Sequence, residues 1–127
     1  MAEPIFYRCS KCGNLVLFLN KTGCTPQCCG EPMEELVAGT TDAAVEKHVP
    51  VIVREGSKVT VKVGEVTHPM LEAHYIQWIA LAQGEEVRIA YLQPGQEPEA
   101  VFEGVAEDQP LVAYEYCNLH GLWKAEA

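Results

Sequence analysis

The sequence predicts an all-β protein in two parts, a small cysteine-rich metal domain over residues 1–37 and an antiparallel β-sandwich over residues 38–127. Five of the six cysteines lie in the first part, and all four histidines lie in the second. The second part consists of short runs rich in β-branched residues, separated by turn-forming segments. Between the parts, residues 38–44 are small and polar, which is typical of a linker.

The first part is too short to fold on hydrophobic burial alone, so it needs a metal or disulfides. Cys9 and Cys12 are separated by two residues, and Cys28 and Cys29 are adjacent. Four thiolates suit zinc or a single iron. A structural zinc is the simplest interpretation of four cysteines, but the adjacent pair favours iron, because neighbouring residues must twist to reach one metal. Disulfides fit poorly with an odd count, and Cys24 is interpreted as a free or packed cysteine.

Six strands are predicted in the second part, at residues 49–54, 59–63, 74–82, 87–92, 100–105 and 111–117. Their short lengths and turn-rich separators favour an antiparallel sandwich. Residues 72–83 also fit an apolar helical face, and we assign them to a strand. Trp78 and Trp123 are interpreted as core aromatics rather than electron relays.

The histidines, together with the last cysteine, form a set of candidate metal ligands at predicted strand edges and turns. The members of this set are His48, His68, His74, Cys117 and His120. Five donors exceed the tetrahedral demand of zinc and fit an iron with imidazoles in a plane, an axial thiolate and one open face. A copper site of the blue-copper type is the rival interpretation. No methionine follows His120, however, and copper would leave two histidines unused.

The charge and the ends of the chain exclude some functions. A formal net charge of −9 argues against nucleic acid or an anionic membrane as a partner. No apolar run approaches the roughly 20 residues that a membrane span needs. The N-terminus lacks a basic start followed by an apolar stretch, so we expect no export signal and a cytoplasmic protein with reduced thiols.

Five motifs in order carry a family resemblance. They are the Cys9–Cys12 pair with CCGEPM at 28–33, EKHVP at 46–50, THPM at 67–70, HYIQW at 74–78, and EYCNLHG at 115–121. With these motifs the sequence resembles the desulfoferrodoxins, the two-iron class of superoxide reductases, over essentially its whole length.

The resemblance implies two iron ions per chain. A desulforedoxin-like domain would hold the first through Cys9, Cys12, Cys28 and Cys29. An immunoglobulin-like sandwich would hold the second, with His48, His68, His74 and His120 as equatorial ligands and Cys117 as the axial ligand. Glu46 matches the carboxylate that takes the sixth position in the oxidised state of the family. Lys47 matches the lysine that assists at the open face.

The implied activity is reduction of superoxide to hydrogen peroxide by an external donor, without dismutation to oxygen. Lys47 would attract the anion locally despite the negative net charge, and the N–H groups of Asn118 and Leu119 are candidates to bond the Cys117 sulfur. The resemblance also implies a homodimer and a rubredoxin-like electron donor. A two-iron electron carrier without catalytic turnover and a zinc-stabilised binding module are the alternative functions.

Overall fold

The computed structural model describes residues 3–40 and 43–127, so residues 41 and 42 of the predicted linker lie outside the described residues. The chain divides into two compact units, Glu3–Val37 and the unit that contains Ala38–Ala127. Each unit has its own sheets and its own apolar core.

The small unit contains five short strands around a very small core. They are β1 (Ile5–Arg8), β2 (Leu15–Phe18), β3 (Gln27–Cys28), β4 (Glu31–Pro32) and β5 (Glu34–Glu35). One sheet has the order β2-β1-β5, and β3 pairs with β4. The buried apolar residues are Phe6, Tyr7, Cys9 and Met33, and the Tyr7 ring packs edge-on against Phe18 at 4.9 Å.

The second unit is a sandwich of two antiparallel sheets. Its elements are α1 (Val45–His48), β6 (Pro50–Glu55), β7 (Lys58–Val63), β8 (Ile76–Gln83), β9 (Glu86–Tyr91), β10 (Glu99–Phe102), β11 (Val112–Cys117) and β12 (Gly121–Glu126). One sheet has the order β10-β7-β6 and the other β12-β11-β8-β9. The prediction of an all-β protein is confirmed.

The six predicted strands are all present in the sandwich, with ends shifted by up to three residues. The segment that also fitted a helix is strand β8, and residues 78–82 are buried, so its apolar side chains serve both faces of the sheet. Strand β12 and the helix α1 were not predicted. Among residues 3–40 and 43–127, no helix is long and apolar enough to cross a membrane.

The alternation along β7 shows how the core forms. Val59, Val61 and Val63 are at most 1% exposed, while Lys58 and Lys62 between and beside them are exposed. Because burial alternates from one residue to the next, one face of the sheet points inward and packs with the apolar residues of the facing sheet. Register places the end of β11 beside the start of β8, because Cys117 pairs with Ile76.

Candidate metal centres

One end of the sandwich brings the five predicted histidine and cysteine ligands together. His48 ends α1, His68 and His74 lie between β7 and β8, Cys117 ends β11, and His120 lies in the turn to β12. One donor atom from each of the five lies within 4.8 Å of all the others. We call these residues the histidine–cysteine group. Residues 72 positions apart in sequence therefore meet at one point.

Backbone carbonyls determine which imidazole nitrogens face the centre of the group. Nδ1 of His48 donates to the Ala44 oxygen, and Nδ1 of His68 donates to the Pro69 oxygen, both at 2.7 Å. A carbonyl only accepts, so the proton of each ring is on Nδ1 and Nε2 keeps its lone pair. The two Nε2 atoms nevertheless lie 3.1 Å apart. Two lone pairs at that distance cannot bond one another, but a cation between them can bind both.

Three of the four histidines, His48, His68 and His74, are held in the neutral form that binds metals. Burial, and to a smaller extent neighbouring histidines, lower the pKa of His48, His74 and His68, and the pKa of His68 falls to about 4. Nε2 of His74 is buried without a hydrogen-bond partner in the described part of the chain. His120 presents Nδ1, which lies 3.1 Å from Nε2 of His48. The donor set therefore fits a metal ion.

The fifth donor is the fully buried thiol of Cys117, whose sulfur lies 4.0 Å from Nδ1 of His120. Burial raises its pKa, and the backbone N–H groups of Leu119 and His120 oppose that rise. The expectation for Leu119 is confirmed. The expectation for Asn118 is wrong, because its N–H donates to the Tyr75 carbonyl at 3.3 Å. The reversal of the chain after Cys117 turns that N–H away from the sulfur.

Two side chains that the sequence did not single out as site residues hold the group in place. Asn118 accepts from the Tyr75 N–H at 2.9 Å and donates to the Ala73 carbonyl at 3.0 Å, which ties the β11–β12 turn to the loop of His74. Trp123 stacks on His48 at 5.1 Å and donates its indole N–H to the His120 carbonyl at 3.0 Å. Trp123 is buried, as a core aromatic should be, but it also contacts two members of the group.

Glu115 is a buried carboxyl group next to the centre. It lies two residues before Cys117 on β11 and is 0% exposed, and within the described residues its oxygens have no hydrogen-bond partner. Burial raises its pKa to about 9, so it is a neutral acid at neutral pH. Sequence reasoning missed its burial. The one available signal was a single acid within the otherwise uncharged run of β11.

Access to the group is one-sided. His48 and His68 are buried, whereas His74 and His120 are only half-buried. Glu46 and Lys47 precede His48 on α1 and are both exposed. The positive charge of Lys47 contributes to the lowered pKa of His48 and His74, so it acts at the histidine–cysteine group.

The small unit gathers the four predicted cysteines into a second group, whose sulfurs lie within 4.8 Å of one another. The Cys12 and Cys28 sulfurs are 3.5 Å apart, and the Asn14 side-chain amide donates to the Cys28 sulfur at 3.7 Å. Cys29 has a positive φ of 53°, a left-handed conformation that turns its side chain back toward its neighbour's. We call Cys9, Cys12, Cys28 and Cys29 the tetracysteine group.

The crowding of these sulfurs calls for a cation. Backbone N–H groups of Cys12 and Lys11 lower the pKa of Cys9 to about 6, whereas the sulfurs of Cys12 and Cys9 beside Cys29 raise the pKa of that thiol to about 12. Four thiolates cannot form at this spacing without a positive charge among them. All six cysteines are free thiols, and Cys24 is exposed outside the group.

The fold and the two donor sets define a protein with two metal centres, one bound by thiolates alone and one by histidines and a thiolate on a β-sandwich. Two family models match the chain, Desulfoferrodoxin over residues 40–126 and Desulfoferrodoxin, N-terminal domain, over residues 4–36. The chain belongs to the desulfoferrodoxin family. Its two donor groups are able to hold two iron ions.

Individual relatives extend over nearly the whole chain. A desulfoferrodoxin of Syntrophotalea carbinolica is 48% identical over 127 residues, covering 99% of each chain. A desulfoferrodoxin of Nitratidesulfovibrio vulgaris is 49% identical over 121 residues, covering 95% of this chain and 94% of the relative. Among solved structures, the superoxide reductase from Treponema pallidum aligns with a TM-score of 0.79 at 36% identity, covering 98% of this chain and 99% of the other.

Proposed function

We propose that this protein is a superoxide reductase, which reduces superoxide with one electron and two protons to hydrogen peroxide. The observation that carries the proposal is the set of four imidazoles and one cysteine sulfur around a single point, partly open on one side. Such a set is larger than tetrahedral zinc needs and suits an iron with a free position. The solved relative from Treponema pallidum is named a superoxide reductase.

The residues of the site have separate roles in this proposal. His48, His68, His74, His120 and Cys117 would hold the catalytic iron. When bound, that iron supplies a one-electron reductant with a positive charge that attracts an anion. Lys47 places a second positive charge at the exposed side, which raises the local concentration of superoxide although the chain as a whole is acidic. Water beside Lys47 is the proton source, and Glu46 would close the site in the oxidised protein.

The proposal assigns the tetracysteine group a second iron, held by Cys9, Cys12, Cys28 and Cys29, in a domain of residues 1–37. Residues 38–127 would form the catalytic domain. The protein would work as a homodimer that detoxifies superoxide in the cytoplasm, where a rubredoxin-like carrier supplies electrons. None of the six cysteines is in a disulfide, which supports a reducing compartment.

The stoichiometry of the reaction tests the function. A reductase forms one peroxide for each superoxide consumed and oxidises one equivalent of donor. A dismutase forms one peroxide for two superoxides and releases oxygen, and an electron carrier without turnover consumes superoxide no faster than buffer. We expect the first result from the iron-loaded protein, measured by pulse radiolysis with peroxide and oxygen assays. Either other result contradicts the proposal.

Removing the charge of Lys47 tests its role. Lys47→Ala should lower the second-order rate constant with superoxide about tenfold and weaken its dependence on salt, because local steering is lost. Lys58→Ala is the matched control, since it removes the same charge at the opposite end of β7 from Val63. Equal rate constants for the two variants would show that Lys47 does not attract the substrate.

A further inference from the structure

Gly64 stands immediately after β7 and differs from most glycines of the chain. Eight of the ten glycines have a positive φ, which explains why no larger residue is used there. Gly64 does not have a positive φ, and neither does Gly23. Its φ therefore does not call for a glycine, and the space around the residue has to be considered instead.

The space beside Gly64 is filled by the backbone of α1. A Cβ atom placed on Gly64 would lie 2.6 Å from the Glu46 oxygen, 2.8 Å from the Lys47 carbonyl carbon and 3.0 Å from the Lys47 oxygen. The first two distances are shorter than real Cβ contacts. Because the obstructing atoms are backbone, no side-chain rotation can relieve the clash. The peptide groups of Glu46 and Lys47 thus rest directly on Gly64.

Hydrogen bonds join α1 to the loop that follows Gly64 and close that loop on the end of β7. The Val66 N–H donates at 2.9 Å to the Glu46 oxygen, the atom that lies nearest to Gly64. On the other side of Gly64, the His68 N–H donates to the Val63 oxygen at 3.2 Å. A helix of four residues has almost no stability of its own, so α1 depends on such contacts for its position.

We propose that Gly64 is a positioning residue, whose missing side chain seats the α1 backbone on the end of β7 and so sets where Glu46 and Lys47 stand beside the histidine–cysteine group. This inference rests on the proposed function for its kinetic consequence. In addition to that function, it assigns Gly64 an influence on the reaction rate, although Gly64 touches neither the substrate nor the side chain of a metal ligand.

The test is Gly64→Ala, compared with Gly23→Ala, which adds the same methyl group where nothing lies within 4 Å and φ is not positive. We expect Gly64→Ala to lower the superoxide rate constant about tenfold, as displacement of a positioned group does. In a Lys47→Ala background the same change should have less than about a twofold further effect, because the two positions act through one interaction. Equal losses in both backgrounds would indicate a merely structural effect and overturn the proposal.

Hydrogen–deuterium exchange of the iron-loaded protein gives a readout besides activity. Gly64→Ala should accelerate exchange about tenfold in peptides covering residues 44–49 and 64–68, and leave β8 unchanged. Unchanged exchange in both peptides would overturn the proposal. If Gly64→Ala does not fold, exchange is measured on the unmodified protein instead. Rapid exchange of its Val66 N–H would show that α1 is not seated on Gly64 and would overturn the proposal. Failure of the proposed function would appear instead as a wild-type protein that leaves superoxide unreduced, with the exchange result unaffected.

Discussion

The two units of the protein hold their donor groups in opposite ways. In the small unit Cys9 is both a donor and a member of the buried cluster with Tyr7 and Met33, and Cys28 packs against that cluster. In the sandwich one buried apolar cluster contains thirteen of the described residues, and among these thirteen Cys117 alone is a donor. The small unit thus needs its metal to complete its core, whereas the sandwich has a core first and adds donors from its loops.

The same difference appears in what surrounds the donors. In the tetracysteine group, Cys12 and Cys29 are exposed, and backbone N–H groups and crowding control the thiols. In the histidine–cysteine group, burial lowers the pKa of His68, and backbone carbonyls fix the ring protons of His48 and His68. The tetracysteine group, which depends on its metal, and the histidine–cysteine group, which depends on the folded sandwich, should therefore respond differently to substitution.

The largest expected effect is on the small unit. Cys12→Ser should remove its metal and with it the ordered structure of residues 3–37, because binding and folding are one process in so small a unit. The sandwich and its reaction with superoxide from an artificial donor should persist. Visible absorption and peptide-resolved hydrogen exchange measure both, and Cys24→Ser, outside the group, is the control. Lost turnover with the second iron still bound would show that the centres are coupled.

In the sandwich, a core substitution should lower stability whether or not the metal is bound. Ile79→Ala, at a fully buried position of β8, should lower the free energy of unfolding by about 2–5 kcal/mol, with or without metal. Ile89→Ala, at a position 37% exposed on the neighbouring β9, should cost markedly less. Urea denaturation of iron-loaded and chelated protein measures both values. A chelated sandwich that is already unfolded would contradict the comparison drawn above.

The smallest expected effect concerns the support of the histidines. Trp123→Phe keeps a ring to stack on His48 but removes the N–H that bonds the His120 carbonyl, which should cost about 1 kcal/mol of stability. Trp123→Leu removes both interactions and should release iron more readily on titration with a chelator. Equal iron retention in the two variants would show that stacking does not hold His48 in place.

Much of this arrangement could be predicted from the sequence. Period-two alternation located β7, and turn-rich separators bounded its neighbours, because these signals are local. The donor residues could be named from their type and spacing, and the structure brings all nine into two groups. Strand β12 escaped prediction because it lacks a β-branched residue and is specified by pairing with β11.

What escaped prediction at the site depends on distant contacts. Helix α1 is a single turn, and its position comes from Gly64 rather than from helix propensity. The burial of Glu115 cannot be read from a strand in which any polar residue is expected to face water. The choice of Nδ1 or Nε2 depends on which carbonyl each ring meets, as with Ala44 and Pro69.

The β11–β12 turn carries Cys117 and His120 with two residues between them, and His120 faces His48 from the other side of the sandwich. His68 follows β7, and His48 ends α1, which rests on the residue after β7. Both histidines are therefore attached to the opposite sheet. A sliding of one sheet over the other would change distances between these pairs and leave each pair intact. Such a sliding is therefore a soft coordinate of the donor geometry, and its stiffness is the shear stiffness of the packed core between the sheets.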